Sequence, residues 1–407
     1  MIARSASGRS LASARAVFYQ LLAAHALALV STGVATIALA LLAYDIAGAE
    51  AGAVLGTALG IKMLGYVLVT PLASAFVERL PRRATLVMLD LVRAAVVLTL
   101  PFVSRVIEIY ILIFIFQAAS ATFTTSMQAT VPELLPDRHE YTRALSLTRL
   151  AVELENVVSP LLAAALLLAL SFRSLFILTV FGFLVSAALI LFAALPTSHA
   201  SGTGVLRERL TRGFRTFFRT PRLRALIALN LAASAAMAMV IVNTVVYVQA
   251  NLGMSDTATA AALAVYGAGS VAAALLVPRL MAWSSDRSAM LAGGALAALA
   301  LLFGMAIAGY AALLPLWLGL GFGSALAQTP AGVLICRSSG EDDRQSLYAA
   351  QFAISSLCLL VTYPLAGWLG AEAGIPVTFL AFGLIAGAGV VAAASVWPPR
   401  DRATLET

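Results

Sequence analysis

Ionisable side chains interrupt long apolar stretches at three places, and their types and spacing suit the uptake and release of protons. The densest set is Ser146, Arg149, Glu153 and Asn156, spaced three, four and three, which a helix gathers into one polar stripe. Arg149 and Glu153 are four apart and can pair directly. Glu155 leaves that face and could meet a neighbouring helix. A carboxylate that alternates between paired and unpaired settings binds and releases a proton as its pKa moves. The alternative is that these charges belong to an amphipathic helix end. Residues after Asn156 supply only about 16 apolar positions, short for a membrane crossing, so Glu153 is expected to enter. Lys62 lies roughly 11 residues, or about 16 Å at 1.5 Å per residue, from the nearer polar end of its run. A lysine that deep needs a wet cavity or an acid beside it. Asp90 and Arg93, three apart, can form an intrahelical pair and read as an anchor for the neighbouring loop.

The stretches around these residues identify the medium. Of 407 residues 61% are hydrophobic and 11% charged, whereas a soluble domain carries about 25% charged. Mean hydropathy is +0.96. These figures exclude a soluble globule, a disordered chain and a collagen, and two cysteines exclude a disulfide scaffold. At roughly 30 residues per span and connection, the chain holds about twelve membrane helices. Apolar runs and breakers place them at 17–44, 51–77, 84–103, 106–131, 142–170 and 174–195, then at 225–249, 257–282, 288–309, 312–336, 345–371 and 375–397. The first run is too long for the core of a signal peptide and reads as a retained span.

The net charge of +7 comes from arginine, since Lys62 is the only lysine. With the amino terminus inside, twenty-one of the 25 arginines fall on cytoplasmic segments and only Arg105 and Arg173 on the other side. The positive-inside rule then sets both termini in the cytoplasm, and a multi-pass protein of the bacterial plasma (inner) membrane is expected. The basic residues form no nucleic-acid-reading motif. Between residues 205 and 224, Leu206, Leu210, Phe214, Phe217 and Phe218 alternate with arginines, which reads as a helix lying on membrane lipid.

The chain divides into residues 1–195, a linker over 196–224, and residues 225–407, and the halves echo each other. Residues 117–160 resemble 321–364 at a shift of 204, and Pro71 with Glu78-Arg79 is matched by Pro278 with Asp286-Arg287. Internal repeats with a site between them are how many secondary transporters are built. At the same shift Glu153, Glu155 and Asn156 map onto Leu357, Leu359 and Leu360, so proton chemistry is expected in the first half and shape in the second.

The segment Ser74-Ala-Phe-Val-Glu78-Arg79-Leu-Pro81-Arg82-Arg83 resembles the loop motif between spans 2 and 3 of the major facilitator superfamily, with the motif's glycines replaced by Ser74 and Pro81. The resemblance covers essentially the whole chain. It implies an all-α membrane protein of twelve transmembrane helices in two pseudo-symmetric six-helix bundles. It also implies a gating clamp of Glu78, Arg79, Arg82 and Arg83, with Asp90 and Arg93 behind it. Asp90-Leu-Val-Arg93-Ala, Val131-Pro-Glu-Leu-Leu-Pro136, Thr142-Arg-Ala-Leu145 and Arg219-Thr-Pro221-Arg-Leu-Arg224 look like the branch of bacterial drug, macrolide and siderophore exporters. Ser159-Pro160 lacks the glycines of the exporter motif in span 5. The stretch around Ser255 to Thr259 also resembles bacterial lysophospholipid transporters.

In that superfamily spans 1, 4, 7 and 10 line the central cavity. This implies cavity roles for His25, Thr32 and Thr36; for Gln117, Ser120, Thr124 and Gln128; for Asn230, Asn243 and Tyr247; and for Trp317, Ser324 and Gln328, with Asn156 from span 5. Each can equally be helix-to-helix glue. Three histidines make no metal cage, no cofactor is expected, and no Gly-rich segment ends in Gly-Lys-Ser/Thr, which excludes ATP-driven transport by this chain alone. The expectation is a monomeric secondary transporter, not an enzyme. It would export amphiphilic drug- or siderophore-like molecules against protons, with Glu153, Glu155, Lys62 and Arg149 as the coupling groups. A lysophospholipid flippase and a non-transporting receptor on the same scaffold are the alternatives.

Overall fold

The computed structural model describes residues 11–77, 81–135, 144, 147–148, 151, 158–159, 161–195, 214–338 and 344–397. Every regular element among them is helical. In the first half these are α1 (Leu11–Ala47), α2 (Ala51–Val77), α3 (Arg82–Thr99), α4 (Val106–Leu134), the described part of α5 (161–167) and α6 (Phe172–Phe192). In the second they are α7 (Pro221–Val245, prolonged by a π turn Val246–Asn251), α8 (Asp256–Trp283), α9 (Asp286–Gly304), α10 (Tyr310–Gln328, resumed over Ala331–Arg337), α11 (Arg344–Glu372) and α12 (Ile375–Val396). Apart from α5, whose start lies outside the described residues, each lies within a few residues of the apolar run that announces it. Ser255 and Ser285 accept from the amides of Ala258 and Ser288, so side-chain caps fix where α8 and α9 begin. Gly48 and Gly253 end α1 and the α7 turn at φ of 54° and 66°, a left-handed conformation that side chains resist.

The two halves repeat one packing scheme. In the first, α1 packs on α6, α2 on α4, and α3 on both α4 and α6; in the second, α7 packs on α12, α8 on α10, and α9 on both α10 and α12. The shift of 204 holds down to single hydrogen bonds. Arg83 donates to the carbonyl of Ala193 at 2.7 Å, and Arg287, its counterpart, donates to that of Trp397 at 3.0 Å. Each arginine at the head of a third helix thereby ties down the tail of the sixth. Arg83→Ala and Arg287→Ala are each expected to lower stability by about 1 kcal/mol, read as a small fall in melting temperature in detergent, with no effect on the opposite bundle.

Large apolar side chains such as Leu91, Leu98, Phe102, Ile111, Phe181, Phe192, Leu275 and Phe303 are exposed around the outside. A membrane is the medium in which such a surface is stable. Lipid is as apolar as leucine, so the helices must hold together by close approach rather than by hiding from water. Glycine supplies it. Gly52, Gly56 and Gly60 form a stripe on α2 that faces Tyr363, Pro364 and Gly367 of α11, and a Cβ at Gly56 would stand 2.4 Å from the Tyr363 carbonyl. Among the described residues this α2–α11 seam is the main contact between the halves. Trp368 Nε1 crosses it to Thr57 Oγ1 at 3.2 Å. At the same end Thr257 of α8 donates to the carbonyl of Leu167 of α5 at 3.2 Å, and the turn Gly48–Glu50 rests on the π turn. The bundle end that carries Glu50 is closed by both seams.

Candidate functional site

Lys62 projects from the face of α2 opposite the glycine stripe, into its own bundle. It borders a cavity of about 20 Å³ with Thr36 of α1, Val97 of α3, and Phe116 and Gln117 of α4, room for one water molecule. Gln117 is fully buried, and neither its Nε2 nor its Oε1 has a partner among the described residues. Ser120 Oγ, one turn along α4, is in the same position. Thr36 and Thr32 donate to the carbonyls of Thr32 and Ala28, each at 2.9 Å, so their hydroxyls are engaged within α1.

Asp90 and Arg93 lie farther in than the loop they were expected to anchor. Since α3 begins at Arg82, Asp90 sits eight residues, about 12 Å, along the helix. Asp90 has 0% of its surface exposed and Arg93 3%. The Asp90 carboxylate pairs with Arg93 through one oxygen and accepts from Ser186 Oγ of α6 through the other, at 2.7 Å. The Arg93 guanidinium stands 4.1 Å from the ring centre of Phe123 and 4.7 Å from that of Phe183, where aromatic faces favour a cation. His25 stacks on Phe123, with ring centres 6.0 Å apart and 18° between planes. Arg93 Nε and His25 Nδ1 have no hydrogen-bond partner among the described residues. α3 presents this pair, α1 the imidazole, and α4 and α6 the rings and the hydroxyl.

The polar residues of the second half gather around α7. Asn230 accepts from Gln351 of α11 at 3.1 Å. Asn243 donates to the Ala366 carbonyl at 3.1 Å, at the seam. Trp317 donates to Thr244 Oγ1 at 2.8 Å, Tyr247 to the Ile307 carbonyl at 3.3 Å, and Ser324 to the Leu320 carbonyl at 2.7 Å. Gln328 is exposed at the end of α10, and Thr124 is half-buried. Among the described residues, the expected cavity set thus falls into two groups, one inside each bundle. Glu78, Arg79, Arg149, Glu153, Glu155 and Asn156 lie outside the described residues, as does the side chain of Gln128. Arg82 is buried, and Arg83 is engaged at Ala193. Sequence reasoning passed over Ser186, Phe123, Phe183, Thr244 and Gln351. For the first three the signal was present in the shift of 204, which sets Phe183, Ser186 and Phe123 opposite Gly387, Val390 and Ala327.

The family model for the Major Facilitator Superfamily matches residues 21–284 and 227–407. No curated protein matches the chain. Among solved structures, a bacterial homologue of the human lysosomal transporter Spinster, inward-facing and unoccupied, superposes with a TM-score of 0.75 at 13% identity, covering 96% of this chain and 100% of that one. A mutant of the nucleoside transporter NupG gives 0.71 at 13%, covering 94% and 100%. A POT family transporter in complex with 5-aminolevulinic acid gives 0.70 at 11%, covering 92% and 94%. At these identities the likeness is one of fold.

Proposed function

Because this chain belongs to the major facilitator superfamily, a family of secondary transporters, we propose that it exports amphiphilic small organic molecules by alternating access, driven by protons. The observation that carries the mechanism is the α2–α11 seam. Two glycine-lined faces meet backbone to backbone; among the described residues the side-chain contacts across them include Trp368 to Thr57 and the edge-on rings of Tyr66 and Phe352, weak contacts that let the faces part and re-form as rigid bodies. In this reading the arginine-rich segments lie in the cytoplasm, so the sealed end is the outer one and the state is closed to the outside. Drug- and siderophore-like cargo follows from the branch that the span 3 and span 5 segments resemble.

The second support is the placement of Lys62 and of the Asp90–Arg93 pair. Charged groups inside a membrane bundle are costly and mark working sites, and both stand in the first half, where Glu153 and Glu155 also belong. The second half offers amides and an indole suited to shape and hydrogen-bond recognition.

Cells lacking and overproducing the protein, exposed to a panel of macrolides, dyes and iron chelators, test this reading. At least one compound is expected to accumulate several-fold less on overproduction, and a protonophore should restore its accumulation. If no compound responds to the level of protein, the export reading is overturned. If one responds but ignores the protonophore, the proton coupling is.

A further inference from the structure

The shift of 204 supplies an internal control for the buried charges. His25, Asp90, Arg93, Phe123 and Ser186 correspond to Leu229, Gly294, Ala297, Ala327 and Val390. The corresponding residues also meet in space: a Cβ built on Gly294 would lie 2.9 Å from Val390 and 3.0 Å from Leu229. The fold therefore closes the same helix crossing twice, once with small and apolar residues and once with an aspartate, an arginine, a serine and a histidine. Packing does not require the charges. A buried ion pair replaced by well-packed apolar groups is commonly no less stable, so the first half carries a polar group set that the architecture can do without.

Unpartnered polar atoms follow α4 inward from the cavity beside Lys62: Gln117 borders the cavity, Ser120 is one turn on, and Phe123, one turn farther, carries Arg93 and His25, whose Nε and Nδ1 lack partners among the described residues. Gln117 and Ser120 lie three apart on one face of α4. In the second half Lys62 and Gln117 are matched by Tyr266 and Gly321, and a Cβ on Gly321 would stand 2.0 Å from the Tyr266 carbonyl. There the gap is closed by backbone contact. Buried polar atoms that lack protein partners are ordinarily satisfied by water, and water beside titratable groups conducts protons.

We propose that Asp90 is a proton-binding site inside the amino-terminal bundle, reached from Lys62 through Gln117, Ser120 and His25. A proton delivered by water adds to a lone pair of the Asp90 carboxylate. This gives the neutral acid and frees Arg93, which stays charged between Phe123 and Phe183. Loss of the proton to water restores the pair. The groups facing the site are His25 from α1, Tyr66 of α2, which acts on Arg93 electrostatically, and Lys62 at the cavity. From α4 and α6 come Gln117, Ser120, Phe123, Phe183 and Ser186. Glu153 and Glu155 of the fifth span lie outside the described residues. The proposal rests on the proton-coupled reading and adds a coupling group to it.

Infrared difference spectroscopy of the purified full-length protein in lipid nanodiscs, titrated with acid, tests the site without any cargo. A buried-acid carbonyl band is expected to grow on acidification in the wild type and in Glu153→Gln. It should be lost in Asp90→Asn and shift in frequency in Ser186→Ala, which removes a hydrogen bond to the carboxyl. If Asp90→Asn does not fold, the combined variant His25→Leu/Asp90→Gly/Arg93→Ala/Ser186→Val, which copies the second half, takes its place. Spectra of wild type and Asp90→Asn that superimpose at every pH overturn the proposal. A band that titrates while transport moves no protons keeps the site and overturns the coupled reading.

Discussion

Gly56→Leu is expected to abolish net transport while leaving both bundles folded. The Cβ alone would stand 2.4 Å from the Tyr363 carbonyl and 3.1 Å from the Gly367 Cα. Backbone cannot turn aside as a flexible side chain can, so the two helices must separate. Overpacking of this kind costs about 1–3 kcal/mol, and a tenfold change in a two-state ratio needs about 1.4 kcal/mol. The ratio of molecules closed to molecules open at the Glu50 end should therefore fall by roughly five- to more than a hundredfold. Because the seam joins the bundles rather than building either one, the cost appears in the gating equilibrium and not in the stability of each half. Thiol labelling of a cysteine placed at Tyr363 should become several-fold faster from the outside while cargo export falls at least tenfold. Gly319→Ala is the matching control: a Cβ there meets nothing within 4 Å, and it should transport normally. Normal export by Gly56→Leu would mean that the seam does not need to close.

The glycine stripe also shows where the sequence was hard to read. Gly52, Gly56 and Gly60 recur at the four-residue spacing of close-packed membrane helices. In a chain with 29 glycines and abundant alanine, that spacing does not stand out from composition. The span positions, by contrast, were plain, because a bilayer fixes the length of an apolar run regardless of its neighbours. The duplication was legible too, and Arg83 with Ala193 against Arg287 with Trp397 repeats it at atomic detail. What pattern could not supply was depth and direction. Asp90 and Arg93 announced a pair through their spacing, but only the three-dimensional arrangement puts them between Phe123, Phe183 and Ser186. Lys62 was expected at a cavity, and the cavity it borders lies within its own bundle. Helical periodicity assigns a face to each residue; it does not say which neighbour occupies that face.

Arg93→Leu is expected to be the most destabilising single change in the amino-terminal bundle, and removing Asp90 together with Arg93 should be milder than removing Arg93 alone. In Arg93→Leu the Asp90 carboxyl keeps Ser186 as a hydrogen-bond donor but loses its cation at a position with no exposed surface. Breaking one side of a buried pair costs about 3–5 kcal/mol, whereas exchanging both sides for packed apolar groups is often neutral. The double change Asp90→Gly/Arg93→Ala reproduces Gly294 and Ala297, which already close the equivalent crossing in the other bundle. Thermal unfolding in detergent of Asp90→Gly, Arg93→Ala and the double variant forms a cycle that isolates the pair's coupling. A coupling of at least about 2 kcal/mol is expected, within the range seen for residues that share one buried network. A double variant as unstable as the worse single would mean that the charges hold the bundle together. The contrast between the two halves would then be one of alternative packing solutions rather than of a polar site set into a frame that does not need it.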